Sequence, residues 1–301
     1  MRERVVVLGG GHGTSAVVRA LRDAAVDLSI VVTIADDGGS SGALRGPLRG
    51  LAVGDMRRSL TALSGEGSVA GRALSRPVTI HRVGTHPLGN LLLQSLTGAF
   101  GDLGLAASWL EDQIGVAARV LPATREPVAL LAETQDGRLV HGESAIGRCR
   151  TPLRRLYFSP ACPRSPRAAL RAVAAADLLL LAPGSLFTST LATAALPDLR
   201  ATLAASWAPV VWLCNLGDGG GEANGLSASR QLAALTEHGI RVDAVLYDPE
   251  AGVCVDRRPL QRAGVRCLAH PLQGDAPGVH DATLLRAALE QLLSSLRRPS
   301  V

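Results

Sequence analysis

Short apolar runs without alternation recur along the chain, and several are followed directly by glycine or hydroxylated residues. The first run, VVVL at residues 5–8, precedes the segment GGGHG at residues 9–13 and a helical pattern that begins near Thr14. A run of this kind is typical of a strand buried on both faces of a parallel sheet. A second apolar strand ends at the segment ADDGGSSG, residues 35–42. The chain therefore opens with a predicted strand, glycine-rich turn, helix and strand.

The same periodicities predict the remaining elements. Further strands are predicted at residues 116–121, 177–182, 210–215 and 242–247. Helices are predicted at residues 55–63, 91–100, 166–175, 227–238 and 281–296, the last an amphipathic packing helix. Two apolar runs over residues 128–146, separated by Gln135-Asp136-Gly137, predict an antiparallel hairpin. No internal repeat or low-complexity linker divides the chain, so residues 1–301 are predicted to form a single α/β domain.

Four of the predicted strands end in small, hydroxylated or acidic residues. These ends lie at Gly9, Asp36, Gly184 and Asn215. In an open parallel sheet, ligands bind outside the carboxyl ends of the strands. We therefore expect the four loops to line one crevice.

The turn after the first strand has the features of a phosphate site. Glycine lets backbone approach a ligand, and the N–H groups and dipole of a helix N-terminus favour an anion. Thr14 and Ser15 add hydroxyl donors there. Asp36 and Asp37 follow at roughly the 20-residue separation at which dinucleotide-binding folds place an acid for ribose hydroxyls. Glycine alone could serve only a tight turn, but the acidic and small residues after Ala35 favour a ligand loop.

Two further segments have both a structural and a functional interpretation. Asp55 is well placed to cap the helix that follows it, and it is equally a candidate general base or magnesium ligand. The segment GTHPLGN, residues 84–90, is either a ligand loop containing His86 or a Pro/Gly turn in which Asn90 caps the next helix. The sequence leaves both alternatives open.

The amino-acid composition limits which core residues and which catalytic or binding groups the protein can use. The 301 residues are 47% hydrophobic but include only three Phe, three Trp and two Tyr, so the core is expected to be Leu, Val and Ala. All 31 basic residues are arginine, which excludes a Walker-type lysine, a Schiff-base lysine and a lysine general base. The net charge of +5 is attributed to solvated surface and anionic small ligands, since no nucleic-acid-binding motif accompanies it. Nucleic-acid binding is therefore not expected.

Cysteine usage and hydropathy indicate the compartment. The five cysteines are an odd number without closely spaced pairs, which favours a reducing cytoplasm over a disulfide framework or a zinc site. No signal-peptide pattern is present, and the longest apolar stretch is interrupted by Asp177. We expect a cytoplasmic protein without a membrane span.

Seven segments together resemble the YvcK-type gluconeogenesis factors, a family of UDP-N-acetylglucosamine-binding proteins within the CofD-like group. Their order covers nearly the whole chain, and the resemblance implies a Rossmann-like three-layer α/β/α fold with a mainly parallel sheet and an antiparallel hairpin excursion. The segments are GGGHGTS at 9–15, ADDGGSSG at 35–42, GDMRRSLTALS at 54–64, HPLGNLLLQSLT at 86–97, LPAT at 121–124, GES at 142–144 and PGSLFTS at 183–189.

The resemblance also implies a ligand and its contacts. The implied ligand is a UDP sugar such as UDP-N-acetylglucosamine, and the implied role is cell-shape maintenance and growth on gluconeogenic carbon sources. The first loop would surround phosphate, the loop after the second strand would lie opposite, and two later segments would close the pocket. The residues are Gly10, Gly11, Gly13, Thr14 and Ser15; Asp36, Asp37, Ser40 and Ser41; and His86, Asn90, Ser185, Thr188 and Ser189, to which the strand-end analysis adds Gly184 and Asn215.

Two functional classes fit these residues. A regulatory protein would bind the nucleotide sugar and present a changed surface to a protein partner, with self-association as a further expectation. The CofD-like group also includes 2-phospho-L-lactate transferase, which passes a phospholactyl group from a guanosine diphosphate adduct to a deazaflavin. For such a transfer, Asp37 and Asp55 are candidate bases or magnesium ligands, and Arg57 or Arg45 could neutralise phosphate charge. We favour the regulatory protein; a second, acceptor-sized pocket beside the first would favour the transferase.

The chain departs from the family pattern at the predicted pocket. His12 stands where the first loop usually has threonine, and the loop after Asn215 lacks the usual Thr-Gln but keeps Gly221-Glu222. We expect His12 to be tolerated without new chemistry.

Overall fold

A seven-stranded parallel sheet forms the centre of the molecule. The computed structural model describes residues 2–35, 51–65, 67–81, 84–217, 221–223 and 225–297. The sheet strands are β1 (Glu3–Gly9), β2 (Val26–Val32), β5 (Arg119–Pro122), β9 (Leu178–Leu181), β10 (Val210–Leu213), β11 (Ala244–Tyr247) and β12 (Arg266–Ala269). Their order is β12-β11-β10-β9-β1-β2-β5, and every neighbouring pair is parallel.

Helices cover both faces of this sheet. They are α1 (Gly11–Leu21), α2 (Gly54–Ser64), α3 (Val69–Ser75), α4 (Leu88–Phe100), α5 (Leu103–Ile114), α6 (Glu143–Gly147), α7 (Arg167–Ala174), α8 (Ala192–Ala194), α9 (Pro197–Ala205), α10 (Ala228–Glu237), α11 (Arg257–Arg262) and α12 (Ala282–Arg297). A π-helical segment (Leu186–Leu191) leads into α8, and a single 3-10 turn spans Gly221–Ala223.

Alternating residues of β1 show how the two cores are built. Val5 and Val7 pack into one core with residues of α1, α2, α5 and α12, whereas Val6 and Leu8 pack into the other with α7, α9, α10 and α11. All four side chains are at most 2% exposed. A strand buried on both faces gains from apolar residues at every position, which explains the unbroken VVVL run.

Two small antiparallel sheets extend from this framework. One has the order β7-β6-β8, built from β6 (Ala129–Thr134), β7 (Leu139–His141) and β8 (Leu153–Ser159). The other pairs β3 (Pro77–Ile80) with β4 (Gly84–Pro87). The predicted fold class, a mainly parallel α/β sheet with an antiparallel excursion, is confirmed. Within the described residues, no helix is long and apolar enough to cross a membrane.

The structure corrects several predicted element bounds. The hairpin's second strand ends at His141, because Gly142 has a positive φ of +91° and residues 143–147 turn into α6, which buries Ile146 completely. Helix α5 was not predicted, although Asp102 caps it by accepting a hydrogen bond from Leu105 N at 2.9 Å. Strands β3, β4, β8 and β12 were also missed.

Neither proposed capping role survives. Val53 is the N-cap residue of α2, so Asp55 lies inside the first turn, where its negative charge still suits the helix dipole. Helix α4 begins at Leu88 after the N-cap residue Pro87, so Asn90 lies within the helix and does not cap it.

Candidate functional site

Three neighbouring strand ends meet at one crevice. Its volume is about 780 Å³, and it lies between the N-terminus of α1, the segment after β9 and the end of β10. We call it the glycine-loop crevice. Residues that line it include His12, Gly13, Arg19, Glu143, Gly184, Ser185, Thr188, Asn215, Glu222 and His280. Of the four expected strand ends, Gly184 and Asn215 line this crevice together with His12 and Gly13 of the loop after Gly9, while Asp36 lies outside the described residues.

Close packing explains two glycines of the first loop. A side chain on Gly13 would overlap the carbonyl of Pro183, and one on Gly10 would overlap the carboxylate of Asp55 and lie 2.8 Å from Thr33 Cγ2. Gly11 differs, since it has a φ of +69° and only Ser189 Oγ, at 3.9 Å, near its Cβ position. The backbone of the loop therefore packs against both neighbouring segments, and Gly11 holds the left-handed conformation at the helix start.

The hydroxyls at the start of α1 bond within the loop. Thr14 Oγ1 donates to the carbonyl of Gly10 at 3.0 Å and is completely buried, and Ser15 Oγ donates to the carbonyl of Gly11 at 3.3 Å. Helix α1 has Gly10 as its N-cap and no side-chain cap among the described residues. Thr14 therefore stabilises the loop conformation from the buried side of the loop.

Glu222 organises the opposite wall. Its Oε1 accepts hydrogen bonds from Phe187 N at 2.8 Å and from Ser185 Oγ, which lies 2.5 Å from Thr188 Oγ1. Burial raises the pKa of Glu222 above its ordinary value, and the hydrogen bonds it accepts only partly offset that rise. Its other oxygen, Oε2, has no hydrogen-bond partner among the residues that the structure describes. One sequence signal pointed to this residue, the retained Gly221-Glu222 pair, but Glu222 was not predicted to belong to the site.

Asp55 and Arg57 lie on α2 beside the first loop. Asp55 is 7% exposed and forms an ion pair with Arg58 one turn further along the helix. Burial lowers the pKa of Arg57, and the neighbouring charge of Arg58 lowers it further. The aliphatic stem of Arg57 packs against α4, where a Cβ on Gly89 would lie 2.6 Å from Arg57 Cγ. Asp55 thus supports the loop from below, and Arg57 points to a different cavity.

That second cavity lies between α1, α2 and α3 and has a volume of about 880 Å³. We call it the arginine cleft. Its charged and hydroxylated lining residues are His12, Ser15, Arg19, Arg57, Arg58, Thr61, Arg72, Ser75 and Arg76. His12 and Arg19 also line the glycine-loop crevice, so the two cavities share a wall. The sequence does not predict this convergence, because the arginines come from three separate segments: Arg19 from α1, Arg58 from α2, and Arg72 and Arg76 from α3 and its C-cap.

The remaining predicted site residues are distributed as follows. His86 on β4 and Asn90 on α4 are each 2% exposed, and neither is among the described residues that line the glycine-loop crevice. Ser189 lies in the π-helical segment, where its N–H donates to the Ser185 carbonyl at 3.1 Å. Four predicted ligand residues and one further candidate cation lie outside the described residues: Asp36, Asp37, Ser40, Ser41 and Arg45.

Metal-binding side chains do not cluster in the part of the chain that the structure describes. No group of three or more His, Cys, Asp or Glu residues there could hold an ion. Asp37, the other candidate magnesium ligand besides Asp55, falls outside that part.

Comparisons with known proteins identify close relatives. The family model described as 2-phospho-L-lactate transferase CofD matches residues 5–286. A putative gluconeogenesis factor of Deinococcus radiodurans is 37% identical over 96% of this chain and 66% of its own length. The gluconeogenesis factor of Bacillus subtilis is 34% identical over 79% of this chain and 75% of its own length. The chain thus spans just under two thirds of the first relative and about three quarters of the second.

A solved structure has the same fold. The crystal structure of a member of the UPF0052 family from Bacillus halodurans superposes with a TM-score of 0.89 at 32% sequence identity. The superposition covers 96% of this chain and 99% of that one. The similarity therefore extends over nearly the whole of both chains.

Proposed function

This chain belongs to the CofD family and, within it, to the gluconeogenesis factors of the YvcK type, and from that premise we propose that it is a regulatory protein that binds a nucleotide sugar. The proposed ligand is a UDP sugar, with UDP-N-acetylglucosamine as the first choice. The proposed setting is the cytoplasm, where ligand occupancy would be sensed by a protein partner and would affect cell shape and growth on gluconeogenic carbon sources.

The meeting of three strand ends at the glycine-loop crevice is the observation on which the proposal rests. The N-terminus of α1 offers backbone N–H groups and the positive end of the helix dipole to an anion there. A volume of about 780 Å³ lies within the usual range for small-molecule sites, roughly 300–1,000 Å³, and accommodates a nucleotide sugar. With its diphosphate at the start of α1, the ligand would place its base and its sugar in the parts of the crevice on either side.

The charges around the crevice also suit a diphosphate. Arg19 and His12 line it on the α1 side. On the opposite side, burial raises the pKa of Glu222, which favours its neutral acid form and reduces repulsion of a phosphate. Arg19 and the helix N-terminus favour an anionic ligand, and the raised pKa of Glu222 lowers the repulsion from that side, although Glu143 also lines the crevice.

The hydroxyl and amide groups of the far wall would contact the sugar or ribose. Ser185, Thr188 and Asn215 line the crevice and are held by mutual or backbone hydrogen bonds. Because these hydrogen bonds already fix the side-chain rotamers, less conformational entropy would be lost when a ligand binds. We assign these three residues to ligand contact, together with the backbone around Gly11 and Gly184, and we keep Asp36, Asp37, Ser40 and Ser41 as proposed contacts from the loop opposite.

A group transferase is the second candidate, and one observation favours it. The arginine cleft adjoins the glycine-loop crevice through His12 and Arg19, as a donor and an acceptor site would. Transfer of a phosphate-linked group requires mainly positioning and charge stabilisation, which two adjoining sites with arginines could supply. Against this reading, Asp55 is buried and paired with Arg58.

One experiment distinguishes the two functions. The purified protein is incubated with UDP-N-acetylglucosamine, a guanosine diphosphate adduct and an adenosine diphosphate adduct, each with and without magnesium. Thermal stabilisation is measured first, and the nucleotides are then analysed for cleavage. Stabilisation by the uridine compound without cleavage supports the regulatory protein, cleavage supports the transferase, and no stabilisation by the uridine compound contradicts the proposal.

A further inference from the structure

The arginine cleft brings several positively charged side chains together. Among the described residues that line it there are five arginines and no aspartate or glutamate. Arg58 is paired with Asp55. No described carboxylate lies within ion-pair distance of Arg57, Arg72 or Arg76. Like charges brought together in this way repel one another unless an anion lies between them.

Arg57 and Arg58 are half-buried members of the group, whereas Arg72 and Arg76 are exposed. Burial and the neighbouring Arg58 both lower the pKa of the Arg57 guanidinium. Its Nε is buried and has no hydrogen-bond partner within the described part of the chain. A buried guanidinium N–H without an acceptor is costly, so the fold keeps Arg57 beside the cleft at an energetic cost.

The fold holds Arg57 firmly in this position. The start of α4 packs on its stem at Gly89, where any Cβ would lie 2.6 Å from Arg57 Cγ and 3.0 Å from the Leu74 carbonyl. On the other side of the cleft, Arg72 donates a hydrogen bond to the carbonyl of Gly67. Two of the arginines are therefore fixed by packing or by a backbone contact, and Arg72 and Arg76 form the exposed rim.

We propose that the arginine cleft is a second ligand site, which binds a small molecule that carries at least two phosphate charges. Guanidinium groups match phosphate oxygens in paired hydrogen bonds, and a cluster of them favours a multiply charged phosphate over a single carboxylate. No Phe, Tyr or Trp side chain lines the described part of the cleft, so a planar uncharged acceptor would find no ring to stack on. The inference goes beyond the nucleotide-sugar proposal and holds whether or not that ligand occupies the glycine-loop crevice.

The two sites would influence each other. His12 and Arg19 line both cavities, so an anion in one of them changes the electrostatic potential in the other. Coupling of this kind is reciprocal for binding free energies. The cleft would thus let a phosphorylated metabolite adjust the response to the nucleotide sugar.

Pyrophosphate serves as the probe, in a calorimetric titration without magnesium at low ionic strength. The rim variant R72Q/R76Q removes two exposed charges and should leave folding intact. Arg57→Gln removes the half-buried charge on α2, and Arg167→Gln, at an exposed arginine on α7 on the opposite face of the sheet, is the matched control. We expect wild type and Arg167→Gln to bind equally, and the rim variant and Arg57→Gln to bind at least about tenfold more weakly.

Each variant is also titrated with UDP-N-acetylglucosamine. Retained nucleotide-sugar binding in the rim variant, with pyrophosphate binding lost, supports a separate site. Loss of both ligands would make the cleft part of the nucleotide-sugar site and overturn the inference. It is also overturned if wild type does not bind pyrophosphate or if neither arginine variant weakens binding. Pyrophosphate binding that depends on the arginines, without any binding of the nucleotide sugar, would refute the proposed function and leave this inference standing.

Discussion

Asn215 and Gly184 exchange two hydrogen bonds across neighbouring strand ends. Gly184 N donates to Asn215 Oδ1, and Asn215 Nδ2 donates to the carbonyl of Gly184, each at 2.7 Å. The side-chain amide thereby links the chain directly after β10 to the segment after β9. This pairing holds the far wall of the glycine-loop crevice at a fixed distance from α1.

Replacement of Asn215 by aspartate tests this pairing. The carboxylate can still accept from Gly184 N, but it faces the Gly184 carbonyl without a donor. We expect Asn215→Asp to lower the free energy of unfolding by about 1–3 kcal/mol at neutral pH. Chemical denaturation of both proteins measures it, and an unchanged unfolding free energy would show that the amide is not paired as described.

Packing at Gly13 predicts a large effect of a single methyl group. A Cβ there overlaps the carbonyl of Pro183, so Gly13→Ala must push the first loop away from the segment after β9. We expect a loss of about 2–4 kcal/mol in the free energy of unfolding. Gly98→Ala in α4 is the matched control, because its Cβ meets nothing within 4 Å. That control should gain about 0.5–1 kcal/mol from helix propensity, and equal effects of the two changes would contradict the packing account.

The raised pKa of Glu222 predicts a pH dependence. A carboxyl group whose pKa is higher in the folded than in the unfolded state contributes stability below its unfolded pKa. That contribution is lost as the pH rises through the folded pKa. Glu222→Gln keeps an acceptor for Ser185 and Phe187 but cannot ionise. From about pH 5 to about pH 8, the free energy of unfolding of Glu222→Gln should therefore rise relative to that of wild type. A constant difference between the two proteins over this range would refute the raised pKa of Glu222.

The apolar pattern predicted the strands that are buried on both faces of the central sheet, but it did not predict the more exposed strands. Continuous runs such as VVVL identify strands buried on both faces, and glycine or polar residues after them identify the carboxyl edge. Strands β3, β4 and β12 were not predicted, because each has only four residues and some of these are exposed, so no continuous apolar run marks them. The helical turn at residues 143–147 was not predicted, because its sequence is equally compatible with a strand.

The site was predictable only in part, for a similar reason. Gly184 and Asn215 could be placed together because parallel strands align their ends at one edge. The bond between Glu222 and the segment that contains Ser185 joins residues 37 positions apart through an irregular loop, and no local periodicity encodes it. The arginine cleft likewise depends on how α1, α2 and α3 pack against one another, which the pattern of each helix alone does not determine.

The most direct test of the central claim is a calorimetric titration with UDP-N-acetylglucosamine. It compares wild type with Thr188→Val, which keeps the side-chain shape but removes a hydroxyl that lines the crevice. Arg167→Gln is the control on the other face of the sheet. We predict one site per chain in wild type and control, and affinity weakened by about tenfold in Thr188→Val. Absence of binding in wild type, or equal affinity in all three proteins, would contradict a nucleotide-sugar site at the carboxyl edge of the sheet.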